Sequence, residues 1–221
     1  MKTFLKVLWF PIKIILFLLL PFIILIRGSV FLYGRMDFTP WLLIGISALG
    51  SMLLVLIYLQ VIRRRILGKR KNKEHFKSFK RSFLISGALV LTFTGYCLIY
   101  VSADNAKNNE IREEYTALHP ILRMAVSTFI LVDQDIMITD LSRTHSDYAD
   151  MGLKTLKNSL HYPQSTGYVH AIDLRTRDRS EFRNQLLELS FKAMGFSTLR
   201  HIGTADHLHV SLYIKENPDA L

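Results

Sequence analysis

The chain has 221 residues, half of them hydrophobic, and a formal net charge of +10 at pH 7. Residues 1–102 carry fifteen Lys and Arg against two acids, whereas residues 103–221 carry thirteen against sixteen. The basic residues therefore lie beside apolar segments and not on a folded domain, which argues against nucleic-acid binding and favours membrane topology. Cys97 is the single cysteine, so a disulfide within the chain is excluded.

Three apolar runs predict transmembrane helices, at about 7–33, 41–62 and 83–101. Each is close to the roughly 20 residues that span a bilayer. The segment 63–82 between the second and third runs is rich in Lys and Arg, which predicts a cytoplasmic loop. The N-terminus is then cytoplasmic and everything after residue 102 lies outside.

The outer part predicts a short polar tether, residues 103–114, and a small domain, residues 115–221. Its apolar spacing alternates between helix and strand periods. The predicted class is α+β: three transmembrane helices, then an antiparallel sheet with flanking helices. The predicted helices are Leu118–Val132, Asp147–Leu156 and Ser180–Met194, and the predicted strands are Asp135–Leu141, Tyr168–Leu174 and His207–Ile214.

Two histidines one residue apart, His207 and His209, open the last predicted strand. Residues i and i+2 of a strand point to the same face, so both side chains are expected in one cleft. His161 and Asp173 lie upstream and can supply further ligands. Two histidines and one carboxylate, with a fourth position for water, are typical of catalytic zinc.

A family resemblance rests on motifs in this order: Ser142-Arg143-Thr144, Ser159-Leu160-His161, His170-Ala171-Ile172-Asp173 and Asp206-His207-Leu208-His209. The last hundred residues resemble the D-Ala-D-Ala carboxypeptidase/VanX-like zinc metallopeptidases, a group related to the lysostaphin and hedgehog-type zinc fold. Two differences stand out. His161 and Asp173 are twelve positions apart, more than the family usually has, with residues 162–166 interpreted as an inserted loop. Asp206 also stands where many members have Glu.

The resemblance implies a role for each of six residues. His161, Asp173 and His209 are the implied zinc ligands. Asp206 is the implied general base and His207 the group that stabilises the oxyanion. Arg143 is expected to hold a carbonyl or carboxylate of the substrate, which suits a planar guanidinium.

These expectations describe a zinc D,D-carboxypeptidase or D,D-endopeptidase in the bacterial cytoplasmic membrane, facing the periplasm or wall, with peptidoglycan stem peptides as substrate. Its other expected partner is the lipid bilayer. Two alternatives stay open: a non-catalytic module of the same fold that binds wall peptides or a protein partner, and a membrane scaffold in which the spans matter most.

Overall fold

A long helical hairpin and a third helix form the first half of the computed structural model. The structure describes residues 2–67, 72–144, 146–147, 152, 158–203 and 205–214. At residues 2–16, 66–67 and 72–75 it describes the backbone alone. The helices are α1 (Lys2–Tyr33), α2 (Pro40–Leu67) and α3 (Asn72–Ile99). Two segments are long and apolar enough to cross a membrane, Pro40–Arg65 and Phe76–Ile99. In α1 the apolar part with described side chains is shorter, Phe17–Tyr33.

The basic segment 63–82, predicted as a cytoplasmic loop, is helical where the structure describes it. Helix α2 continues into it as far as Leu67, and α3 already begins at Asn72, while residues 68–71 lie outside the described part. Arg and Lys are good helix formers, and Arg64 and Arg65 stand in the last turn of α2, where the helix dipole favours positive charge.

The predicted tether, 103–114, is also structured. It contains a 3-10 helix, Ala103–Asn105, and the short helix α4 (Asn109–Glu114), which Asn108 caps by accepting a hydrogen bond from the Ile111 amide. Asn105 is buried and donates to the carbonyl groups of Gln134 and Ile136, both at 2.8 Å. These bonds fix the segment against the C-terminal domain.

Helix α5 (Pro120–Val132) packs across the C-terminal end of α3. Arg123 donates to the Leu98 carbonyl over 2.7 Å, and Ser127 donates to the Cys97 carbonyl over 3.1 Å. The last carbonyl groups of a helix have no partner within it, so these side chains satisfy atoms that α3 leaves free. One continuous apolar core runs from Leu25 and Ile44 through α5 to Val210.

Four antiparallel strands form the sheet: β1 (Ile138–Asp140), β2 (Ala171–Arg175), β3 (Ser197–His201) and β4 (His207–Ser211), in the order β1-β2-β4-β3. The α+β class and the antiparallel sheet are confirmed. The strands are shorter than predicted, and β3 is an element that the sequence pattern did not indicate. Of the predicted helix Asp147–Leu156, only Asp147 and Gly152 lie within the described residues.

Helix α6 (Glu181–Met194) covers the side of the sheet away from Asp173 and His209. Ser180 caps its start by accepting from the Arg183 amide, and Gly195 ends it in the left-handed conformation at φ 95°. Phe191 lies inside the core, edge-on to Phe129 of α5.

Candidate metal centre

The two central strands of the sheet place Asp173 and His209 side by side. Asp173 of β2 is the direct register partner of His209 of β4. Directly opposite residues of antiparallel strands have Cβ atoms about 4.5–5.5 Å apart, so their side chains meet on one face. Here the His209 Nδ1 atom lies 2.9 Å from Asp173 Oδ1, and both residues are buried.

His161 reaches the same point from the loop that precedes β2. Its backbone carbonyl accepts from the Arg143 amide over 3.0 Å, and the carbonyl of neighbouring Leu160 accepts from the His170 amide over 2.9 Å. Leu160 is buried in a small cluster with Ala171 and Ile214. The loop is therefore attached on both sides, which fixes the direction of the His161 ring.

Three ligand atoms converge in this part of the structure: His161 Nε2, Asp173 Oδ1 and His209 Nδ1. Their separations are 3.2 Å between the two nitrogens, 3.4 Å from His161 to Asp173 and 2.9 Å from His209 to Asp173. Atoms bound at about 2.0–2.1 Å to a tetrahedral zinc ion lie about 3.3–3.4 Å apart. The triangle thus has nearly the size that zinc requires, although other first-row metals accept the same donors.

The protonation of His161 also suits a metal ligand. Its Nδ1 atom lies 2.6 Å from the Leu141 carbonyl oxygen, which can only accept, so Nδ1 carries the proton and donates. Nε2, which faces His209 and Asp173, is then the ring nitrogen available to hold a metal. Metal-binding histidines are usually fixed in this way by a carbonyl or carboxylate behind them.

The outer nitrogen of His209, Nε2, is buried and has no hydrogen-bond partner among the described residues. Its inner nitrogen, Nδ1, faces Asp173. Burial raises the pKa of Asp173, but hydrogen bonds to His161 and His209 lower it more, so the carboxylate stays ionised. An ionised carboxylate and two imidazole rings form a donor set that fits a divalent cation.

Arg143 contacts the cluster from the side of β1. Its Nη2 atom donates to Asp173 Oδ2 over 2.8 Å, and its Nε atom donates to Asp140 Oδ2 over 2.8 Å. The sequence predicted that Arg143 holds a group of the substrate. Among the described residues, Arg143 contacts the carboxylates of Asp140 and Asp173, so its role in the structure is to orient a candidate ligand.

His207 lies on the same face as His209, as strand alternation predicts. Its Nδ1 atom donates to the Ala205 carbonyl over 2.7 Å, and its Nε2 atom lies 3.7 Å from Asp173 Oδ2. The side chain is one-quarter exposed and borders the cluster on the solvent side. His201 stacks on it with ring centroids 4.5 Å apart, because these two residues are register partners of β3 and β4.

Sequence reasoning had given His201 no role, since its spacing to the other histidines is unremarkable. Its position depends on the register of a hairpin that was not predicted. Burial, and then the neighbouring His207, lower the pKa of His201.

Asp206 lies outside the group of three converging donors. Its carboxylate accepts a hydrogen bond from the Gly203 amide and so closes the turn before β4. Its backbone carbonyl accepts from the Thr176 amide over 3.2 Å. A role as general base therefore requires the carboxylate to turn from Gly203 towards the cluster.

The buried His170 and His119 do not join the centre. His170 contacts Thr166 at 2.8 Å and its ring lies 4.6 Å from that of His119. Burial lowers the pKa of His119, and the neighbouring His170 lowers it further. Both histidines belong to the junction between the C-terminal domain and α1, where Tyr33 packs edge-on against His119.

Comparisons of this chain with protein-family models, with curated proteins and with solved structures find no match.

Proposed function

We propose that this chain is a membrane-anchored zinc metallopeptidase that hydrolyses D-amino-acid-containing peptide bonds of peptidoglycan, as a D,D-carboxypeptidase or D,D-endopeptidase. The observation that carries the proposal is the convergence of His161 Nε2, Asp173 Oδ1 and His209 Nδ1 within 3.4 Å of one another. The choice of substrate is supported by the order of the sequence motifs and by the predicted outward orientation of the domain.

The proposed anchor consists of α1, α2 and α3 as three spans of a bacterial cytoplasmic membrane, with the N-terminus inside. The concentration of Lys and Arg near residues 63–81 supports this orientation. The outer domain, which carries the candidate centre, then faces the polymer that it is proposed to cut. The bilayer and the stem peptides are the two proposed partners.

Bound zinc supplies a water nucleophile near neutral pH and polarises a carbonyl group. Around it, each residue of the chain has a defined task. Asp206 takes the proton of the attacking water and passes it to the leaving amine, after its carboxylate leaves Gly203. His207 donates to the carbonyl oxygen as negative charge develops there.

Arg143 holds Asp173 in position during this reaction. Asp173 presents Oδ1 to the two histidines while Arg143 binds Oδ2, so the carboxylate cannot rotate freely. Its predicted contact with a carbonyl or carboxylate of the substrate would compete with Asp140 and Asp173, which already offset its charge.

A non-catalytic binding module is the second candidate. The contact between Asp206 and the Gly203 amide favours it, because a base engaged in a turn does not activate water. In such a module the metal would orient His161, Asp173 and His209 without supporting hydrolysis.

Metal content of the full-length protein tests the proposal. The protein is purified in detergent, supplied with zinc and freed of excess metal, and zinc is then measured by mass spectrometry. We expect about one zinc ion per chain, lost in His209→Ala and in Asp173→Ala. His201→Ala is the matched control, since it removes a histidine from the same sheet face but not from the triangle, and it should retain the metal. Folded wild-type protein without metal would overturn the proposal.

A further inference from the structure

Helix α6 carries apolar side chains on both sides. Its inner side buries Asn184, Leu187 and Phe191. On the opposite side, Phe182, Leu186 and Leu189 are 74%, 53% and 63% exposed, and they follow the spacing i, i+4, i+7 of one helical face. A helix on the surface of a soluble domain normally carries polar residues there, so this outer face of α6 requires a covering partner.

The apolar surface continues onto the end of α5. Leu131 and Val132 are 46% and 79% exposed. Between the two helices lies a groove of about 240 Å³, lined in part by Phe129, Val132 and Leu186. Helices α5 and α6 therefore contribute to one continuous apolar surface and not only to isolated exposed side chains.

The position of α6 relative to α1 indicates what covers this surface. Arg27 of α1 donates to the Met194 carbonyl, at the end of α6, over 3.4 Å. Gly195 lies against Arg27 and Val30. Arg27 precedes the end of α1, Tyr33, by six residues, which is about 9 Å along a helix.

Aromatic side chains mark the outer ends of the three long helices. They are Tyr33, Trp41, Tyr96 and Tyr100. Trp and Tyr are enriched where a membrane meets water. The end of α6 thus contacts α1 deeper than this aromatic level, and Phe31, the residue after Val30, is 48% exposed.

We infer that the outer face of α6, together with Leu131 and Val132, inserts into the outer leaflet of the bilayer. This inference rests on the membrane anchoring in the proposed function. Interfacial helices bury an apolar face about 5–10 Å deep at the boundary between headgroups and acyl chains. The charged residues beside the face are already paired, Arg183 with Asp133 and Asp135, and Lys192 with Glu188, which suits that environment.

Spin labels in the full-length protein test the inference. Single cysteines are introduced into a Cys97→Ser background by Leu186→Cys, Leu189→Cys, Leu49→Cys and Arg177→Cys, labelled, and reconstituted in vesicles of phosphatidylcholine and phosphatidylglycerol. Leu49 is an exposed position of α2 and reports on the spans, while Arg177 is exposed in the turn before α6 and reports on water. Collisions with oxygen report lipid, and collisions with a water-soluble nickel complex report water.

We expect labels at 186 and 189 to collide more with oxygen than with the nickel complex, as at 49, and the reverse at 177. Nickel access at 186 and 189 with a lipid signal at 49 would overturn the inference and leave the anchor intact. Water access at 49 as well would overturn the proposed anchor and the inference with it. Dipolar broadening between two labels at position 189 would show that a second copy of the chain, and not the bilayer, covers this face.

Discussion

Arg143 binds one oxygen of Asp173 while the other oxygen faces His161 and His209. The Arg143 Nη2 atom lies 2.8 Å from Asp173 Oδ2, and His209 Nδ1 lies 2.9 Å from Asp173 Oδ1. The buried carboxylate therefore has a partner on each side. Asp140 binds Arg143 in turn, which extends the network to β1.

Replacing Arg143 by lysine should weaken zinc binding. Lysine keeps the charge but lacks the planar fork that contacts Asp140 and Asp173 together. We expect a loss of about 10–100-fold in zinc affinity, the usual effect of changing a residue that orients a metal ligand. Competition with a chelator measures it in full-length protein. Arg175→Lys is the control, since Arg175 pairs with exposed Asp178 and should leave the affinity unchanged.

Asp206→Asn should separate catalysis from metal binding. The variant loses the proposed proton acceptor, so hydrolysis of an acylated peptide ending in D-Ala-D-Ala should fall by about 10²–10⁴-fold. Zinc content should stay constant, because Asp206 lies outside the donor triangle. Asp178→Asn serves as the control for a lost surface carboxylate. Full activity of Asp206→Asn would exclude Asp206 as the base, and an inactive wild type that binds wall peptides would favour the binding module.

Gly195→Ala should destabilise the fold. The residue has φ 95°, and an added Cβ would overlap the Arg27 guanidinium and press against Val30. Left-handed backbone alone costs about 1–2 kcal/mol for a residue with a side chain. A lower thermal midpoint in detergent is expected. Gly95→Ala is the control, since its added Cβ meets nothing within 4 Å, and equal midpoints for the two variants would contradict the expectation.

Asp133 should make the fold sensitive to acid. Burial raises its pKa, but Arg179 and Arg183 lower it more, so the folded pKa is below the usual value. Ionised Asp133 then stabilises the fold fully above the pKa that the residue has in the unfolded chain, about 3.9. This stabilisation is lost as the pH falls towards the pKa that Asp133 has in the folded protein. Asp133→Asn removes charged hydrogen bonds worth about 1.5–3 kcal/mol at pH 7.

The measurement is thermal unfolding of wild type and Asp133→Asn between pH 7 and pH 3. The difference between the two proteins should shrink below about pH 4. Asp135→Asn is the matched control, because Asp135 is more exposed and pairs with Arg183 alone among the described contacts. A difference that stays constant with pH would show that ionisation of Asp133 does not stabilise the fold.

The outer domain should not behave as a soluble fragment. In a chain of residues 104–221, α5 would lose its contacts with Leu98 and Cys97 and expose part of a core that continues into α1. We expect aggregation or detergent dependence in size-exclusion chromatography, whereas the full chain should elute as one species in detergent. A monodisperse fragment in plain buffer would contradict this.

Much of the candidate site follows from local sequence, and the rest depends on tertiary structure. Alternation along β4 places His207 and His209 on one face, and an apolar strand around Asp173 provides the opposite side. Strand β3 has no apolar run, because Ser197–His201 forms an edge whose residues are alternately exposed. The stacking of His201 on His207 could not be predicted without it.

Two further features depend on contacts distant in sequence. Arg143 lies three residues after Asp140 and pairs with it locally, but both approach Asp173 only through the pairing of β1 with β2, which is interrupted by an irregularity between Ile138 and Asp140. The docking of α5 on α3 depends on two polar side chains, Arg123 and Ser127. The helical periodicity of the sequence places both on the buried face of α5, but it does not indicate which atoms they bind.

That docking determines how a peptidase of this kind would meet a polymer. Arg123 and Ser127 bind the carbonyl groups at the end of α3, and these bonds restrict rotation of the C-terminal domain where the chain leaves the helix. A site on a flexible stalk explores a volume above the bilayer. If the chain is anchored as proposed, this site would instead move only by lateral diffusion, in a plane at constant height above the membrane. The proposed peptidase would then cut only the bonds that reach this plane, and the time that each bond spends there would limit its rate of hydrolysis.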